Sequence, residues 1–509
     1  MAERLQIQAA VAKLLASGTF DPQWYLDRYP DARQSMLSPA EHFLRIGQIL
    51  QRQPNAGASQ NGAIDVQRIP FEAKLKPFHR ELESESRQAI LASGLFDEAY
   101  YYDRAGEALS PGADALQNYC ERESDWDVPS PSALFSSSWY LAQNPDIGSM
   151  SPLAHAALHG LTEGRQVFDP GMVNQFLEHN ATKPSVRWTD VINPNKPAII
   201  YHWSDGNFFF AEIAAYLEVL LCELGVNARL AVENEKPSID VTAIVIAPHE
   251  FCVLGGGRFW SDELLARAVY CNTEQWHTGW FTHALHFVRK SGIGLDINPT
   301  SASGLNALGY TVAFLPLIEI AGSPFSSTRA PLSPEFRAAR AIDRLTYPES
   351  YRDRPYDILF VGANNDRRSA LLSQLAPVLS EWNTFLHCPH FKGPVVNGDP
   401  DMMRTEDAVQ IAQNSRILLN IHQGKSQYFE WHRLYLLGIA RGCVVMSEPC
   451  LSNSWIREGT HYLACEVDQM GEKINWLLGT SQGERECERI TGNCAKLVER
   501  LADVKAALA

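Results

Sequence analysis

Short runs of apolar residues alternate with longer amphipathic stretches along the chain from about residue 196 onward. Representative runs are AIIY, VTAIVIAP and AVYC, and each is followed by polar or charged residues. Strands that are apolar on both faces are typical of a parallel sheet covered by helices. The pattern over residues 196–325 therefore predicts one Rossmann-like α/β domain.

A second series of the same kind begins at about residue 355, after a stretch rich in proline. Its predicted strands include DILFVG, TFLHC and RILLNIH, with amphipathic segments between them. In residues 428–442 apolar and small side chains recur at helical spacing, Gly442 follows as a C-cap, and CVVM forms the next apolar run. We predict a second Rossmann-like domain over residues 355–480 and a helical tail over residues 481–509.

The first part of the chain repeats a short aromatic motif. The residues Phe20, Trp24 and Pro30 recur in the same order and at the same spacing as Phe135, Trp139 and Pro145. A third, degraded copy begins at Phe96 and lacks the Pro-Asp and His elements. Short helical units of this kind bury an aromatic face by stacking on their neighbours, so residues 1–180 predict an all-α repeat domain.

Two interpretations of the aromatic pairs in the repeat stay open. Trp24, Tyr25, Trp139 and Tyr140 either form the core of the repeat or present a surface on which sugar rings stack. The glycine- and asparagine-rich residues 53–62 predict a flexible linker after the first copy.

Composition limits the classes of partner. The chain has 509 residues, of which 45% are hydrophobic and 20% charged, with a formal net charge of −15. This negative charge disfavours binding to nucleic acid, and we expect no nucleic-acid partner. No apolar run reaches the roughly 18 residues of a membrane span, and the ten cysteines include no CxxC pair. We expect a cytoplasmic protein, with peripheral contact at the inner face of the membrane left open.

Titratable residues follow three of the apolar runs in the first α/β domain. His202 and Asp205 follow the first run, His249 follows the second, and Glu274 follows the third. Because the carboxyl ends of parallel strands lie at one edge of a sheet, these side chains are predicted to converge. A histidine or a carboxylate there can take a proton from a hydroxyl group, and His249 is the leading candidate. A surface or core role is the alternative for each histidine.

The second α/β domain carries a candidate anion site in the segment FVGANNDRR at residues 360–368. Gly362 lets the backbone approach a phosphate, Asn364 lies in the turn, and Arg367 and Arg368 begin a helix whose N-terminus favours anions. The alternative is that both arginines only solvate the first helical turn.

A second polar segment, LLNIHQGKSQYFEWHR, follows in the same domain. Asn420 and His422 alternate with apolar residues at the end of a predicted strand. Lys425 lies in the next loop, and Arg433 comes one helical turn after Glu430. We predict that Lys425 and Arg433 neutralise a bound phosphate group.

These motifs and the order of the domains resemble the GT-B glycosyltransferases, in particular those with a group 1-like C-terminal domain. The aromatic repeat, with its WYL, Pro-Asp and HGLTEGR elements, resembles a module found beside glycosyltransferase domains in bacterial surface-polysaccharide enzymes. The resemblance implies that Glu430 contacts the hydroxyl groups of a donor sugar. In that family a second glutamate follows about two helical turns later, where this chain has Leu437. The contact with the nucleotide ribose is then either absent or made by Glu448.

The implied activity is the transfer of a sugar from a nucleotide-diphosphate sugar to a glycan, glycolipid or protein acceptor, as in bacterial surface-polysaccharide or glycoconjugate synthesis. The resemblance also implies no metal ion and no cofactor besides the sugar donor. The DPD and DWD tripeptides are short patterns expected by chance, so they do not indicate a metal site.

Two other classes of function stay open. One is a nucleotide-sugar- or carbohydrate-binding protein without turnover, and the other is a scaffold that acts through the repeats.

Overall fold

The computed structural model describes most of the chain in two compact units, Met1–His159 and Gly160–Ala509. The described residues are 11, 13–29, 38–44, 53–55, 84–106, 109, 112–125, 128–148, 150–181, 185–232, 235–326, 332, 345, 348–390, 399 and 403–503. Most of the predicted linker, most of the proline-rich stretch before residue 348 and part of each DxD-like tripeptide lie outside them. The first unit ends at His159, whereas the sequence predicted a boundary near residue 180.

The first unit is helical in its described residues. Its helices are Pro22–Arg28, Pro39–His42, Ser84–Ser93, Glu98–Ala105, Ala115–Arg122, Ser137–Gln143 and Pro152–His155, with a 3-10 turn at Pro145–Ile147. Three of them begin in the same way, because Asp21, Asp97 and Ser136 each accept a hydrogen bond from a backbone N–H of the first turn. Each N-cap directly follows a phenylalanine of the repeat.

The three copies of the repeat pack their aromatic side chains alike. In each copy the phenylalanine before the N-cap contacts the tyrosine four residues after the N-cap, with ring centroids 5.2, 5.7 and 5.6 Å apart. A third ring completes each cluster, namely Phe43, Tyr119 and His155. The middle copy therefore keeps the aromatic cluster although its sequence has lost the Pro-Asp and His elements.

The two interpretations of the aromatic pairs are resolved separately for each residue type. Tyr25 and Tyr140 are fully buried, so the core interpretation is confirmed for the tyrosines. Trp24 and Trp139 are only partly buried. The other interpretation, a surface on which sugar rings stack, therefore stays open only for the two tryptophans.

Truncation of a buried repeat tyrosine should destabilise the first unit. Tyr140→Ala removes a ring of 0% exposure and its hydrogen bond to His155 Nδ1, and we expect a loss of about 3–5 kcal/mol. Hydrogen exchange of the first-unit helices in the full chain measures this loss. Trp139→Ala is the control and should cost much less; equal losses in the two variants would contradict the assignment.

The second unit contains two parallel sheets and is an α/β structure. The first sheet comprises β1 (Ala198–Tyr201), β2 (Ala228–Leu230), β3 (Thr242–Ile246), β4 (Val269–Asn272), β5 (Ile293–Asp296) and β6 (Thr311–Phe314). Its strand order is β2-β1-β3-β4-β5-β6, and every pairing is parallel. The runs AIIY, VTAIVIAP and AVYC correspond to β1, β3 and β4, whereas the sequence did not predict β2, a strand of three residues.

The first two helices of this part of the chain precede β1, and the others lie between the strands in sequence. They are Pro170–His179, Trp188–Val191, Phe208–Glu223, Pro248–Phe251, Asp262–Arg267, Gly279–Ser291 and Pro299–Ala307, with a 3-10 turn at Gly256–Phe259. The run VTAIVIAP forms a strand only as far as Ile246, because Ala247 has a positive φ of 50° and Pro248 starts a helical turn. His249 and Glu250 consequently lie on that turn and not on the strand.

The second sheet comprises β7 (Tyr356–Val361), β8 (Thr384–His387), β9 (Ser415–Asn420), β10 (Val444–Ser447) and β11 (Tyr462–Ala464). Its order is β11-β10-β9-β7-β8, again with parallel pairings throughout. The accompanying helices are Asp366–Leu379, Thr405–Gln413, Val467–Gly479 and Ser481–Ala502. The two sheets confirm the predicted α/β class and agree with two Rossmann-like domains.

The segment before β10 differs from a regular α-helix. It forms π-helical turns at His432–Gly438 and a 3-10 turn at Ile439–Arg441. Gly442 then adopts a φ of 70°, which confirms the predicted C-cap. Within the described residues, no helix combines the length and the apolar character that crossing a bilayer requires.

Candidate functional site

The carboxyl ends of the two sheets meet at residues 428–431. The carbonyl oxygen of Phe429 accepts hydrogen bonds from Gln275 Nε2, at 3.2 Å, and from Asn298 Nδ2, at 2.7 Å. Gln275 follows β4 and Asn298 follows β5. Trp431 Nε1 donates to the carbonyl oxygen of Leu317, just after β6. The segment that follows β9 is thus held by three strand ends of the other sheet.

Two guanidinium groups converge on the glycine that follows β7. A Cβ atom at Gly362 would lie 2.9 Å from Arg433 Nη1 and 3.1 Å from Arg368 Nη1, so only glycine leaves both groups in place. Arg433 Nη1 also donates to the carbonyl oxygen of Val361. Arg368 donates from Nε and Nη1 to the carbonyl oxygens of Ile421 and Ala363. Gly362 is itself buried, and the two positive charges beside it form a potential anion site.

Glu430 is the carboxylate next to this pair of arginines. Its Oε2 lies 3.0 Å from Arg433 Nε, and the two side chains are 13% and 12% exposed. Neither atom has hydrogen-bond geometry at that distance, so both retain bonding capacity. Burial by itself raises the pKa of Glu430, but the nearby charges of Arg433 and Arg368 outweigh it and lower the pKa to about 2. Glu430 is therefore ionised at neutral pH and can accept hydrogen bonds from hydroxyl groups.

Two predicted donor-site residues pair with each other. Arg367 forms a bidentate ion pair with Glu448 and also donates to the carbonyl oxygen of His422. Glu448 Oε2 accepts a further hydrogen bond of 2.6 Å from the backbone N–H of His422. The alternative that Arg367 and Arg368 only solvate the first helical turn is wrong. Arg367 binds Glu448, and Arg368 is 2% exposed. The ion pair fastens the turn after β10 to the helix after β7, and both partners also bind the loop after β9 through the backbone of His422.

The remaining predicted residues of the second sheet occupy different environments. Asn420 is fully buried and donates to Ser447 Oγ at 2.9 Å, which places it inside the sheet end. His422 lies beyond the strand and stacks on Tyr428, with ring centroids 4.3 Å apart. Lys425 is exposed in its loop. Asn364 donates to Ser369 Oγ, and its Oδ1 is buried without a hydrogen-bond partner among the described residues.

The acid–base candidates of the first sheet form a compact cluster. His249 Nε2 lies 3.5 Å from Glu274 Oε1, and the side chain of His249 is 3% exposed. Burial lowers the pKa of His249 to about 3, whereas burial and the nearby Glu250 raise the pKa of Glu274 to about 7. His249 is accordingly neutral at neutral pH, and Glu274 exchanges its proton there. The pKa values favour Glu274 over His249 as the general base.

His202 and Asp205 lie on the loop after β1. Asp205 is exposed, and burial lowers the pKa of His202. Both residues line a pocket of about 390 Å³ that is formed by the segments after β1, β2 and β3. At the other end of the loop, the backbone N–H of Asn207 donates to Glu250 Oε2 at 3.0 Å. The loop therefore runs from the pocket to Glu250, which follows His249 in the chain.

Sequence reasoning missed a buried network that positions the junction. Asp296 accepts hydrogen bonds from Asn272 Nδ2, Ser301 Oγ and the backbone N–H of Asn298. Asn272 in turn accepts from the backbone N–H of Glu274, and Asn298 donates to Phe429. The polar residues Asp296 and Asn298 at the end of an apolar run are the sequence pattern that could have indicated this network.

His277 and Tyr428 were also missed. Their ring centroids lie 5.2 Å apart, and Tyr428 also stacks with His422. Burial lowers the pKa of His277, although the nearby charge of Glu430 acts in the opposite direction. The two histidines come from different sheets, so a row of rings crosses the junction beside Glu430. This contact joins distant parts of the sequence, and no local pattern indicates it.

Comparison with known proteins gives no further guide, because the chain matches no protein-family model and no curated protein. Within the described residues, no three histidine, cysteine or acidic side chains are grouped as ligands for a metal ion.

Proposed function

We propose that the protein is a GT-B-type glycosyltransferase that moves a sugar from a nucleotide-diphosphate sugar to a glycan, glycolipid or protein acceptor. The observation that carries the proposal is the junction at residues 428–431. It brings the Gly362 site with Arg368, Arg433 and Glu430 next to the segments after β3 and β4, which bear His249 and Glu274. A cleft between two α/β sheets is a common ligand site, and anions bind at the carboxyl ends of such strands.

Each group has a distinct role in the proposed reaction. The guanidinium groups of Arg433 and Arg368 face the diphosphate and stabilise the charge that builds up on it as it leaves. Ionised Glu430 accepts hydrogen bonds from hydroxyl groups of the donor sugar.

Glu274 takes the proton of the acceptor hydroxyl, whose oxygen attacks the anomeric carbon while the bond from that carbon to the diphosphate oxygen breaks. A base in this position suits a transfer that inverts the anomeric centre. The pKa of Glu274, raised to about 7, suits this role because a base works best near the operating pH.

Screening nucleotide sugars for thermal stabilisation tests the donor site. A ligand that binds only the native state adds about 2.7 kcal/mol to the free energy of unfolding at a hundredfold excess over its Kd. We expect stabilisation by at least one nucleotide-diphosphate sugar and none by the free sugar. Stabilisation by no nucleotide would remove the basis of the proposal.

A binding protein without turnover is the second candidate. Two observations favour it: Leu437 replaces the second glutamate of the family pattern, and Glu448 is engaged by Arg367 and the His422 N–H. Such a protein would bind a nucleotide sugar without releasing nucleoside diphosphate.

The proposed enzyme acts in the cytoplasm, including at the inner face of the membrane, on bacterial surface glycans or glycoconjugates.

Chelation should not affect the proposed transfer. Because Arg368 and Arg433 supply positive charge at the diphosphate, we expect full turnover in excess EDTA. The rate of nucleoside diphosphate release with and without EDTA is the measurement. Loss of activity that manganese restores would contradict this prediction.

A further inference from the structure

A glutamate that follows the first strand of the first sheet caps a helix of the second sheet. The helix Thr405–Gln413 begins after Arg404, whose side chain makes no hydrogen bond to the first turn. The backbone N–H of Thr405 instead donates to Glu212 Oε1 at 3.0 Å, and Thr405 Oγ1 donates to Glu212 Oε2 at 2.6 Å. Glu212 lies 193 positions earlier in the chain, on the helix Phe208–Glu223 after β1. Its carboxyl group thus satisfies a helix N–H that has no partner within the helix.

The helix Phe208–Glu223 connects both halves of the proposed site. In its first turn Phe210 contacts His249, with ring centroids 5.5 Å apart and an angle of 86° between the rings. The neighbouring Phe209 contacts His432, in the segment after β9, with ring centroids 5.1 Å apart. Residues three positions apart share a helix face, so the contact of Glu212 lies one turn beyond that of Phe209. The start of this helix therefore touches the acid–base cluster and the second sheet together.

The contact between Glu212 and Thr405 is possible in either protonation state. An ionised carboxylate accepts from the N–H and from the hydroxyl group of Thr405. A protonated carboxyl group still accepts from the N–H and donates its own proton to Thr405 Oγ1. Glutamine reproduces the protonated form, because its amide oxygen accepts and its amide nitrogen donates. The contact therefore does not require a charge, and the cost of ionisation decides how strong it is.

Ionisation of Glu212 is unfavourable in this contact. Burial raises the pKa of Glu212 to about 7, and the charge of Glu406 acts in the same direction. The hydrogen bonds from Thr405 and the charge of Arg404 oppose this rise. Arg404 and Glu406 themselves lie 3.5 Å apart. His432, which contacts the same helix, has its pKa lowered to about 4 by burial and is neutral at neutral pH.

The raised pKa of Glu212 fixes the direction of the pH effect. When the contact is broken, the carboxyl group is solvated and has the ordinary pKa of about 4.3. Between about pH 4 and 7 the state with the contact holds more protons, so the contact weakens as the pH rises through this window. Below the window the contact is strongest, and above it the contact no longer changes with pH.

From these features we propose that the contact between Glu212 and Thr405 is a proton-linked clasp, which holds the helix Phe208–Glu223 against the start of the helix Thr405–Gln413. Glu212 is a positioning residue, because it acts through the two helices and not on the reacting atoms. Its effect on transfer rests on the proposed function, since a tight clasp fixes the acid–base cluster relative to the donor side of the site. The clasp itself depends only on the fold.

Hydrogen exchange of the full chain without ligand measures the clasp. The protection of the helix Thr405–Gln413 is corrected for intrinsic exchange rates and divided by that of the helix Ser481–Ala502, which accounts for changes in global stability. We expect this ratio to fall about tenfold between pH 5.5 and pH 8 in the wild type. Glu212→Gln should keep the high ratio at both pH values, and Glu212→Ala should give the low ratio at both. The control is Glu223→Gln, which changes an exposed carboxylate at the end of the same helix and should behave as the wild type.

Three results would overturn the proposal: a wild-type ratio that does not change with pH, the same pH dependence in Glu212→Gln, or a ratio in Glu212→Ala that equals the wild-type value at pH 5.5. If Glu212→Ala does not fold, Thr405→Val removes only the hydroxyl partner and should lower the ratio at pH 5.5. The measurements use no sugar or nucleotide. A clasp without donor binding would therefore refute the transferase alone, and donor binding without a pH-dependent ratio would refute the clasp alone.

Discussion

Replacement of Glu274 by glutamine should slow sugar transfer about 10²–10⁴-fold while the protein remains folded and binds its donor. Glutamine has nearly the shape of glutamate but cannot take a proton from the acceptor hydroxyl. The wild-type rate should rise with pH through about 7, where Glu274 loses its proton, and this dependence should vanish in the variant. Nucleoside diphosphate release across pH 5–9 measures both effects.

The same substitution should stabilise the fold at high pH. The pKa of Glu274 is about 7 in the folded protein and about 4.3 in an unfolded chain. Between these values the folded state holds more protons, so the free energy of unfolding falls as the pH rises from about 4 to 7. Glu274→Gln removes this cost, and its melting temperature should exceed that of the wild type at pH 8 but not at pH 4.

A matched variant separates this effect from a general effect of charge. Glu263 is exposed on the helix Asp262–Arg267, so Glu263→Gln should change neither transfer nor stability appreciably. Near wild-type transfer in both Glu274→Gln and His249→Ala would contradict the acid–base assignment. A stability change of equal size at pH 4 and pH 8 would contradict the burial argument.

Removal of Arg433 should have the second large effect, on stability and on donor binding together. Arg433→Met leaves Glu430 buried without its nearest counter-charge, and loss of one partner of a buried ion pair costs about 3–5 kcal/mol. The variant also loses one of the two guanidinium groups at Gly362. We expect a lower melting temperature and little stabilisation by a nucleoside diphosphate.

A double variant distinguishes the two roles of Arg433. Glu430→Gln combined with Arg433→Met removes one charge of each sign, so the net charge beside the buried Arg368 is unchanged and part of the stability should be recovered. Nucleoside diphosphate should still stabilise it little, because one of the two guanidinium groups beside Gly362 is missing. Arg433→Lys keeps the charge without the planar fork and should bind with intermediate affinity. Full stabilisation of the double variant by nucleotide would show that Arg433 serves only the fold.

The sequence predicted the elements whose signals are local. The apolar runs became strands in both sheets, the helix Phe208–Glu223 ends just before Gly225, and Gly442 is a C-cap with positive φ. Strand β2 was missed because three residues that include the exposed Arg229 give no periodic pattern. The positive φ at Ala247 could not be foreseen either, since alanine rarely adopts it.

The sequence predicted that the site residues lie at strand ends, but it did not predict which of them contact each other. Arg367 and Glu448 were assigned to phosphate and ribose separately, and they are 81 positions apart in the chain. Their ion pair, like the contact between His277 and Tyr428, depends on how the sheets fold. Composition and spacing could place such residues at an edge but could not tell which of them would neutralise each other.

Nucleoside diphosphate release is the measurement that tests the transferase most directly. The full chain is incubated with nucleotide-diphosphate sugars and with methyl glycosides as acceptors, and the wild type is compared with Glu274→Gln. We predict that at least one donor is consumed in an acceptor-dependent reaction and that the variant binds this donor but releases nucleoside diphosphate at least about a hundredfold more slowly. A donor that binds tightly but is never cleaved, or is cleaved at equal rates by both proteins, would contradict the account.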